Sequence, residues 1–209
     1  MARNKRGRFI TLEGGEGAGK STNARFIRDW LTARGREVVL TREPGGSPMA
    51  EAIREVVLRD WKESMAPDTE LLLMFAARAS HLHSVILPAL AAGKDVVCDR
   101  FIDSTYAYQG AGKQMPVARI KLVDRMVLGT FAPDLTLLFD LPPEEGLKRA
   151  HARGEKNRFE AESLAYMRRV RACFLQRARS APGRYAVIRA NRPLPAVQKT
   201  VARVLEQKL

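Results

Sequence analysis

Eight consecutive residues, Gly14-Gly15-Glu16-Gly17-Ala18-Gly19-Lys20-Ser21, constrain this chain more than anything else in it. They fit G-x-x-x-x-G-K-[ST] and stand between a β-branched, apolar run at 9–13 and a helical pattern at 22–33. A strand that feeds a glycine loop and then a helix is a phosphate cradle. Backbone N–H groups approach a polyphosphate closely only where side chains stand aside, and glycine also supplies the unusual φ angles. The positive end of the helix faces the same charge. In that geometry Lys20 reaches the transferred phosphoryl group and the Ser21 hydroxyl is a ligand for Mg²⁺, which prefers oxygen. ATP with Mg²⁺ is the cofactor pair implied, bound over Gly14 to Ser21. A Gly-rich turn without a ligand is the bland alternative, and the flanking strand and helix count against it.

Around the cradle, short apolar runs at 9–13, 38–41, 95–99, 135–140 and 185–189 alternate with longer helical patterns. That alternation predicts an α/β fold: a P-loop NTPase-like, three-layer arrangement with a five-stranded parallel sheet and helices on both faces. Its ligands gather at the strand carboxyl ends. The apolar helical pattern at 67–93 is expected to be the central helix of one face, with Pro88 bending or restarting it. In 142–179 the polar stretch Arg153-Gly154-Glu155-Lys156-Asn157-Arg158 interrupts two helical patterns and is read as a lid, at about 149–160. At roughly 150 residues per domain, the 209 residues are expected to form a basic tail at 1–8 and one domain at 9–209.

The formal charge of +13 asks for anionic partners, while 45% hydrophobic and 28% charged residues suit a folded chain rather than a disordered one. Cys98 and Cys173, 75 positions apart, have no zinc spacing and read as buried apolar residues of a reduced, cytoplasmic protein. No run of 18 apolar residues is present, and the basic start leads into residues 9–12 without an apolar core or cleavage site. Neither export nor a membrane partner is therefore expected. Arg3, Lys5, Arg6 and Arg8 read as a solvated tail more readily than as a nucleic-acid arm.

A phosphate loop alone does not separate kinases from switches, helicases and motors, so the other strand ends decide. The run 95–99 ends in Asp99 followed by Arg100, an acid that can orient the metal beside a base that can hold an acceptor phosphate. A surface salt bridge is the alternative for that pair. A guanine switch would need N-K-x-D and D-x-x-G, but Asn4-Lys5-Arg6-Gly7 lacks the acid and Asp140 leads into Leu141-Pro142-Pro143. A helicase core would need more sheet. Small-molecule phosphotransfer remains.

At this point the chain resembles the thymidylate kinase family. The likeness runs through Glu13 to Ser21, Thr41-Arg42-Glu43-Pro44-Gly45-Gly46, Ala76-Ala77-Arg78, Asp99-Arg100-Phe101, Ala107-Tyr108-Gln109-Gly110 and Ala132-Pro133-Asp134-Leu135-Thr136. It implies transfer of the ATP γ-phosphoryl group to dTMP by a homodimer. Arg42, Arg54 and Arg100 resemble the acceptor's phosphate clamp, a task suited to planar guanidinium groups that stay charged. Glu16 resembles the carboxylate that positions the acceptor's sugar or phosphate. Arg78 is similar to the arginine that donates to a thymine carbonyl, and Tyr108 to the ring that fills the space of a 2′-hydroxyl. Ser104, Thr105 and Gln109 fall where the family contacts base and sugar, although capping or surface roles are open to them.

Many relatives place an aromatic ring four residues before that helix arginine, where this chain has Met74 with Phe75 after it; either can face the pocket. The cradle contains no basic residue between Gly15 and Ala18. Family members of that kind use lid arginines, here Arg153 first, with Arg149 a turn earlier and Arg158 nearby. Glu160 and Glu162 could close over the sugar or pair with those arginines. For the dimer, 71–75 and 120–127 offer apolar faces, which core packing explains equally well. The rival readings are a kinase for another nucleoside monophosphate and a nucleic-acid-stimulated ATPase; few aromatics are present to stack bases for the latter.

Overall fold

The computed structural model describes residues 6–152 and 162–209. Five parallel strands, β1 (Phe9–Glu13), β2 (Val38–Arg42), β3 (Asp95–Asp99), β4 (Leu135–Asp140) and β5 (Tyr185–Arg189), form one sheet in the order β2-β3-β1-β4-β5. The four strands expected at 9–13, 95–99, 135–140 and 185–189 have those bounds, and β2 runs one residue further than expected, to Arg42. Register follows from the central strand: Ile10 lies beside Val97 of β3 and Leu135 of β4.

Every residue of β1 is buried, because side chains alternate between two covered faces. Ile10 and Leu12 pack with Ile27 and Leu31 of α1 (Lys20–Thr32) and with Val201 and Leu205 of α9 (Leu194–Lys208). Phe9 goes the other way, against Leu71 and Phe75 of α3 (Pro67–His81), Phe101, and Ile120 of α6 (Val117–Leu128). The buried Thr11 and Thr136 hydroxyls satisfy each other at 2.9 Å, which lets two polar side chains lie inside the sheet sandwich. The remaining helices are α2 (Pro48–Leu58), α4 (Leu87–Ala91), α5 (Ile102–Thr105), α7 (Pro143–Ala152) and α8 (Leu164–Ser180).

The helical stretch from Pro67 to Ala91 is continuous. Pro88 does not break it: the turn before it widens into a π-helix over Leu82–Ile86, which relieves the clash a proline ring makes with the preceding turn, and α-helix resumes as α4 with Pro88 in its first turn. This stretch has the length and composition to cross a membrane, yet it buries Glu70, Arg78 and His81 within the fold. A second π-helix, Tyr106–Gly112, continues α5. The two helical patterns of 142–179 appear as α7 and α8. All five strands end on one edge of the sheet, so Glu13, Arg42, Asp99, Asp140 and Arg189 share that edge.

Candidate active site

The loop after β1 is held open by backbone geometry. Gly19, the N-cap of α1, has φ 80° and no side chain to occupy the leading amides of the helix. Gly17, at φ 70°, lies backbone to backbone with Gly146 of α7: a Cβ on Gly17 would collide with the Gly146 carbonyl, and one on Gly146 with the Glu16 carbonyl. Lys20 folds over the loop and donates to the carbonyls of Gly14 and Gly15 at 3.1 and 2.9 Å. Burial lowers the pKa of its ammonium and the charge of Arg100 adds to this, while Glu16, Asp99 and Glu13 oppose both. Ser21 Oγ donates to Asp99 Oδ2 at 2.7 Å, which brings a hydroxyl oxygen and a carboxylate oxygen together beside the cradle.

Arg100 leaves β3 with φ 71°, a left-handed conformation that costs a non-glycine residue about 1–3 kcal/mol. Several bonds fix it there. Its N–H donates to the Leu12 carbonyl at 2.9 Å. Immediately beyond it, the fully buried Glu13 carboxyl accepts from the Phe101 and Ser104 N–H groups at 2.8 and 3.3 Å and from Ser104 Oγ at 2.6 Å. Burial, then the neighbouring Asp103 charge, pushes the Glu13 carboxyl up to about 8. The Arg100 guanidinium donates to Gly14 O at 3.0 Å, Ser104 Oγ at 3.2 Å and Glu16 Oε1 at 2.6 Å, and lies 4.8 Å from the Tyr108 ring centroid. Burial works against its charge, but Tyr108, Glu16 and Asp99 outweigh burial and it stays a cation. The Tyr108 hydroxyl donates to the same Glu16 oxygen at 3.2 Å.

A cleft of about 700 Å³ is lined by the cradle residues Glu16 to Ser21 together with Arg42, Arg54 and Arg100, the last of which bonds to the cradle itself. Arg42 donates to Glu51 Oε2 at 3.1 Å and Arg54 to the Pro44 carbonyl at 2.7 Å. Burial, then the charge of Arg42, lowers the Arg54 pKa, a cost that an anion between them would relieve. Met74, Ser104, Tyr108 and Gln109 line the same cleft. Glu43, which also lines the cleft, accepts from Arg78 Nε at 2.7 Å and approaches His81 Nδ1 at 3.2 Å, while His81 Nε2 meets Thr41 Oγ1 at 2.7 Å.

The Lys20 cradle and three arginines thus share one cleft, and comparison with known proteins identifies the family. The family model described as Thymidylate kinase matches residues 12–201. The chain belongs to the thymidylate kinase family. It is 57% identical over 199 residues to a thymidylate kinase of Pseudomonas fluorescens (strain SBW25), covering 95% of each chain. To that of Pseudomonas entomophila (strain L48) it is 56% identical over 199 residues, again 95% of each. A crystal structure of thymidylate kinase from Ehrlichia chaffeensis superposes with a TM-score of 0.77 at 32% identity, covering 96% of this chain and 99% of that one.

Against the thymidylate kinase resemblance, the structure gathers Glu16, Gly17, Ala18, Gly19, Lys20, Ser21, Arg42, Arg54, Met74, Asp99, Arg100, Ser104, Tyr108 and Gln109 around the cleft. Met74 faces it; Phe75 does not. Phe75 is core, below the Arg78 guanidinium at 5.0 Å, because the sheet claims that side of α3. Arg78 and Thr105 are buried just behind the cleft wall and not on it. Arg149 donates to the Ala190 carbonyl at 3.1 Å and approaches Glu145, on the β5 side of the cradle. Arg153, Arg158 and Glu160 lie outside the described residues, as does most of the expected lid; Glu162 is half-buried.

Sequence reasoning assigned no role to Glu13, Glu43 or Glu70, three buried carboxylates that hold site residues, nor a cleft-lining role to Glu43 or to Arg25 of α1. An acid inside an otherwise apolar run, as at Glu13, was the available signal for the first.

Proposed function

We infer that the chain transfers the γ-phosphoryl group of ATP to dTMP, giving dTDP and ADP. One observation carries the reading: Arg42, Arg54 and Arg100 line a single cleft with the Lys20 cradle, so two anionic nucleotides meet there by their phosphates. The sheet order sets the polarity. The clamp comes from the end of β2, from α2 and from the residue after β3, and β2 and β3 lie on one side of β1, so the donor's nucleoside extends toward β4 and β5. There, Arg149 reaches Ala190, and Asp140, Arg171 and Asn191 line a second cleft of about 240 Å³.

In the transfer, an oxygen of the dTMP phosphate attacks the γ-phosphorus as the bond to the β,γ-bridging oxygen breaks, and ADP departs with that electron pair. Acceptor phosphate oxygens are already ionised near neutral pH, so Glu16 acts in positioning. It holds Arg100 and Tyr108 where the acceptor enters. Lys20 exchanges its loop carbonyls for the phosphoryl oxygens, and Arg100 meets the charge that develops on them. Arg153 supplies a further guanidinium to the transition state, with Arg149 on the donor side. The adjacent Ser21 and Asp99 oxygens suit Mg²⁺, which takes few protein ligands and completes its shell from phosphate and water. When bound, the ion neutralises charge on the β- and γ-phosphates. Tyr108 occupies the space beside Glu16 and excludes a ribose 2′-hydroxyl.

The active form is a cytoplasmic homodimer. The exposed apolar side chains Leu72, Leu122 and Met126 lie on the packed pair α3 and α6 and form the contact face; Leu71, Phe75 and Ile120 belong to the core. A panel of nucleoside monophosphates with coupled ADP detection tests the function. Preferential turnover of dTMP is expected, and preference for another acceptor, or ATP hydrolysis that requires DNA or RNA, would refute it.

A further inference from the structure

Beside the cleft, Arg78 Nη1 and Gln109 Oε1, like Thr105 Oγ1, are buried polar atoms with no hydrogen-bond partner among the described residues. The first is a donor and the second an acceptor. Leaving such a group unpaired costs about 1–3 kcal/mol, a penalty retained where a ligand removes it. Arg78 is on α3, and Gln109 is on the 106–112 π-helix that packs against α3. A carboxylate holds each. Arg78 Nε donates to Glu43 Oε2 at 2.7 Å, and Gln109 Nε2 donates to Glu70 Oε1 at 2.8 Å.

Glu70 is fully buried, and its other oxygen accepts from the Lys113 ammonium at 2.6 Å. Turning a glutamine amide by 180° exchanges its donor and its acceptor, and only the surrounding hydrogen bonds decide between the two. An ionised carboxylate accepts and never donates. Glu70 therefore forbids the turned amide, which would set oxygen against oxygen, and leaves Oε1 of Gln109 as the atom offered elsewhere.

We propose that Glu70, charge-balanced by Lys113, is a positioning residue that fixes the polarity of the Gln109 amide and so makes the acceptor site select pyrimidines carrying an N–H beside a carbonyl over aminopyrimidines. This rests on the dTMP reading above. A thymine ring presents N3–H to Gln109 Oε1 and its 4-carbonyl to Arg78 Nη1. A cytosine ring presents a lone pair and an amino group in the same places, reversing both. Sites that hydrogen-bond a substrate group reject ligands lacking it by up to 10⁴–10⁵ when their own polar groups are left unpaired.

The test is Glu70→Gln in the full-length protein, with kcat and KM measured for dTMP, dCMP and ATP. A glutamine at 70 can donate as well as accept, so the lock is lost. The KM for dTMP should rise about tenfold with kcat and the KM for ATP nearly unchanged, and the dTMP-to-dCMP preference should fall at least about tenfold. Glu70→Asp, which keeps an acceptor-only group, should retain more of the preference than Gln. A preference within twofold of wild type in Glu70→Gln overturns the proposal.

Should that variant not fold, calorimetric binding of dTMP and N3-methyl-dTMP to the wild type decides instead. At least about a hundredfold weaker binding of the methylated ligand is expected, and equal binding overturns the proposal. Absence of dTMP turnover by the wild type would remove the functional reading and this inference together, whereas turnover with unchanged selectivity removes the inference alone.

Discussion

Replacing Glu13 with Gln should abolish a specific part of the protein's pH-dependent stability. The Glu13 carboxyl has its two oxygens committed to Phe101 N–H, Ser104 N–H and Ser104 Oγ, and burial raises it from an ordinary 4.5 to about 8. Between those values the folded chain keeps a proton there that the unfolded chain releases. Stability is therefore fully present below about 4.5 and is lost as pH rises through about 8. At about 1.4 kcal/mol per pKa unit, the loss approaches 5 kcal/mol. A glutamine is isosteric with the protonated acid: its oxygen accepts from the two N–H groups, and its nitrogen meets Ser104 Oγ once that hydroxyl turns from donor to acceptor. The variant should match wild type near pH 5 and exceed it by several kcal/mol near pH 9. Urea unfolding of both proteins at several pH values, taken as a difference, isolates Glu13 from every other titrating group. Parallel stability profiles would refute the reasoning, as would a variant already several kcal/mol weaker at pH 5.

Lys20→Ala should lower kcat by at least about 10³ while leaving the far-ultraviolet dichroism and thermal midpoint close to wild type, since the ammonium contacts only loop carbonyls; a normal kcat would displace the transfer from the cradle. Tyr108→Ala should raise turnover of ribothymidine monophosphate relative to dTMP at least about tenfold, measured as a ratio of kcat/KM, and an unchanged ratio would show that the ring does not exclude the ribose. Asp103, fully buried, accepts from Tyr185 at 2.6 Å and from Arg184 at 3.1 Å, and pairs with Arg177. Although burial opposes them, Arg177 and Arg184 hold Asp103 below its ordinary value of 3.8, so its contribution is present above that pH and lost as pH falls through the lowered one. Asp103→Asn should cost about 3–5 kcal/mol at neutral pH, read by thermal unfolding, and a loss below 1 kcal/mol would contradict the geometry.

The strands and the cradle were legible because their signals are local: β-branched runs of about five residues, and glycines at fixed offsets before a lysine and a serine. The clamp arginines were legible only through their setting in longer motifs. What stayed hidden is set by partners far apart in sequence. Glu13 meets Phe101 across 88 positions, Arg78 meets Glu43 across 35 and Gln109 meets Glu70 across 39, and no short window contains such a pair. The choice between Met74 and Phe75 is of the same kind. Both lie near Arg78 in helical register, and only the sheet beneath α3 decides which side chain is consumed by packing. The widened turn before Pro88 was half legible: a proline signals trouble in a helix, but bending, breaking and widening all satisfy its ring.

The meeting of Gly17 with Gly146 has a mechanical consequence. No rotamer sets the spacing there, because carbonyls and α-carbons touch directly. The glycine loop after β1 and the helix that carries Arg149 therefore share a fixed gauge, much as two jaws of a caliper share one beam. A single methyl group on either glycine would open the jaws, and one on Gly146 would shift Arg149 against the cradle without altering the cradle's own residues.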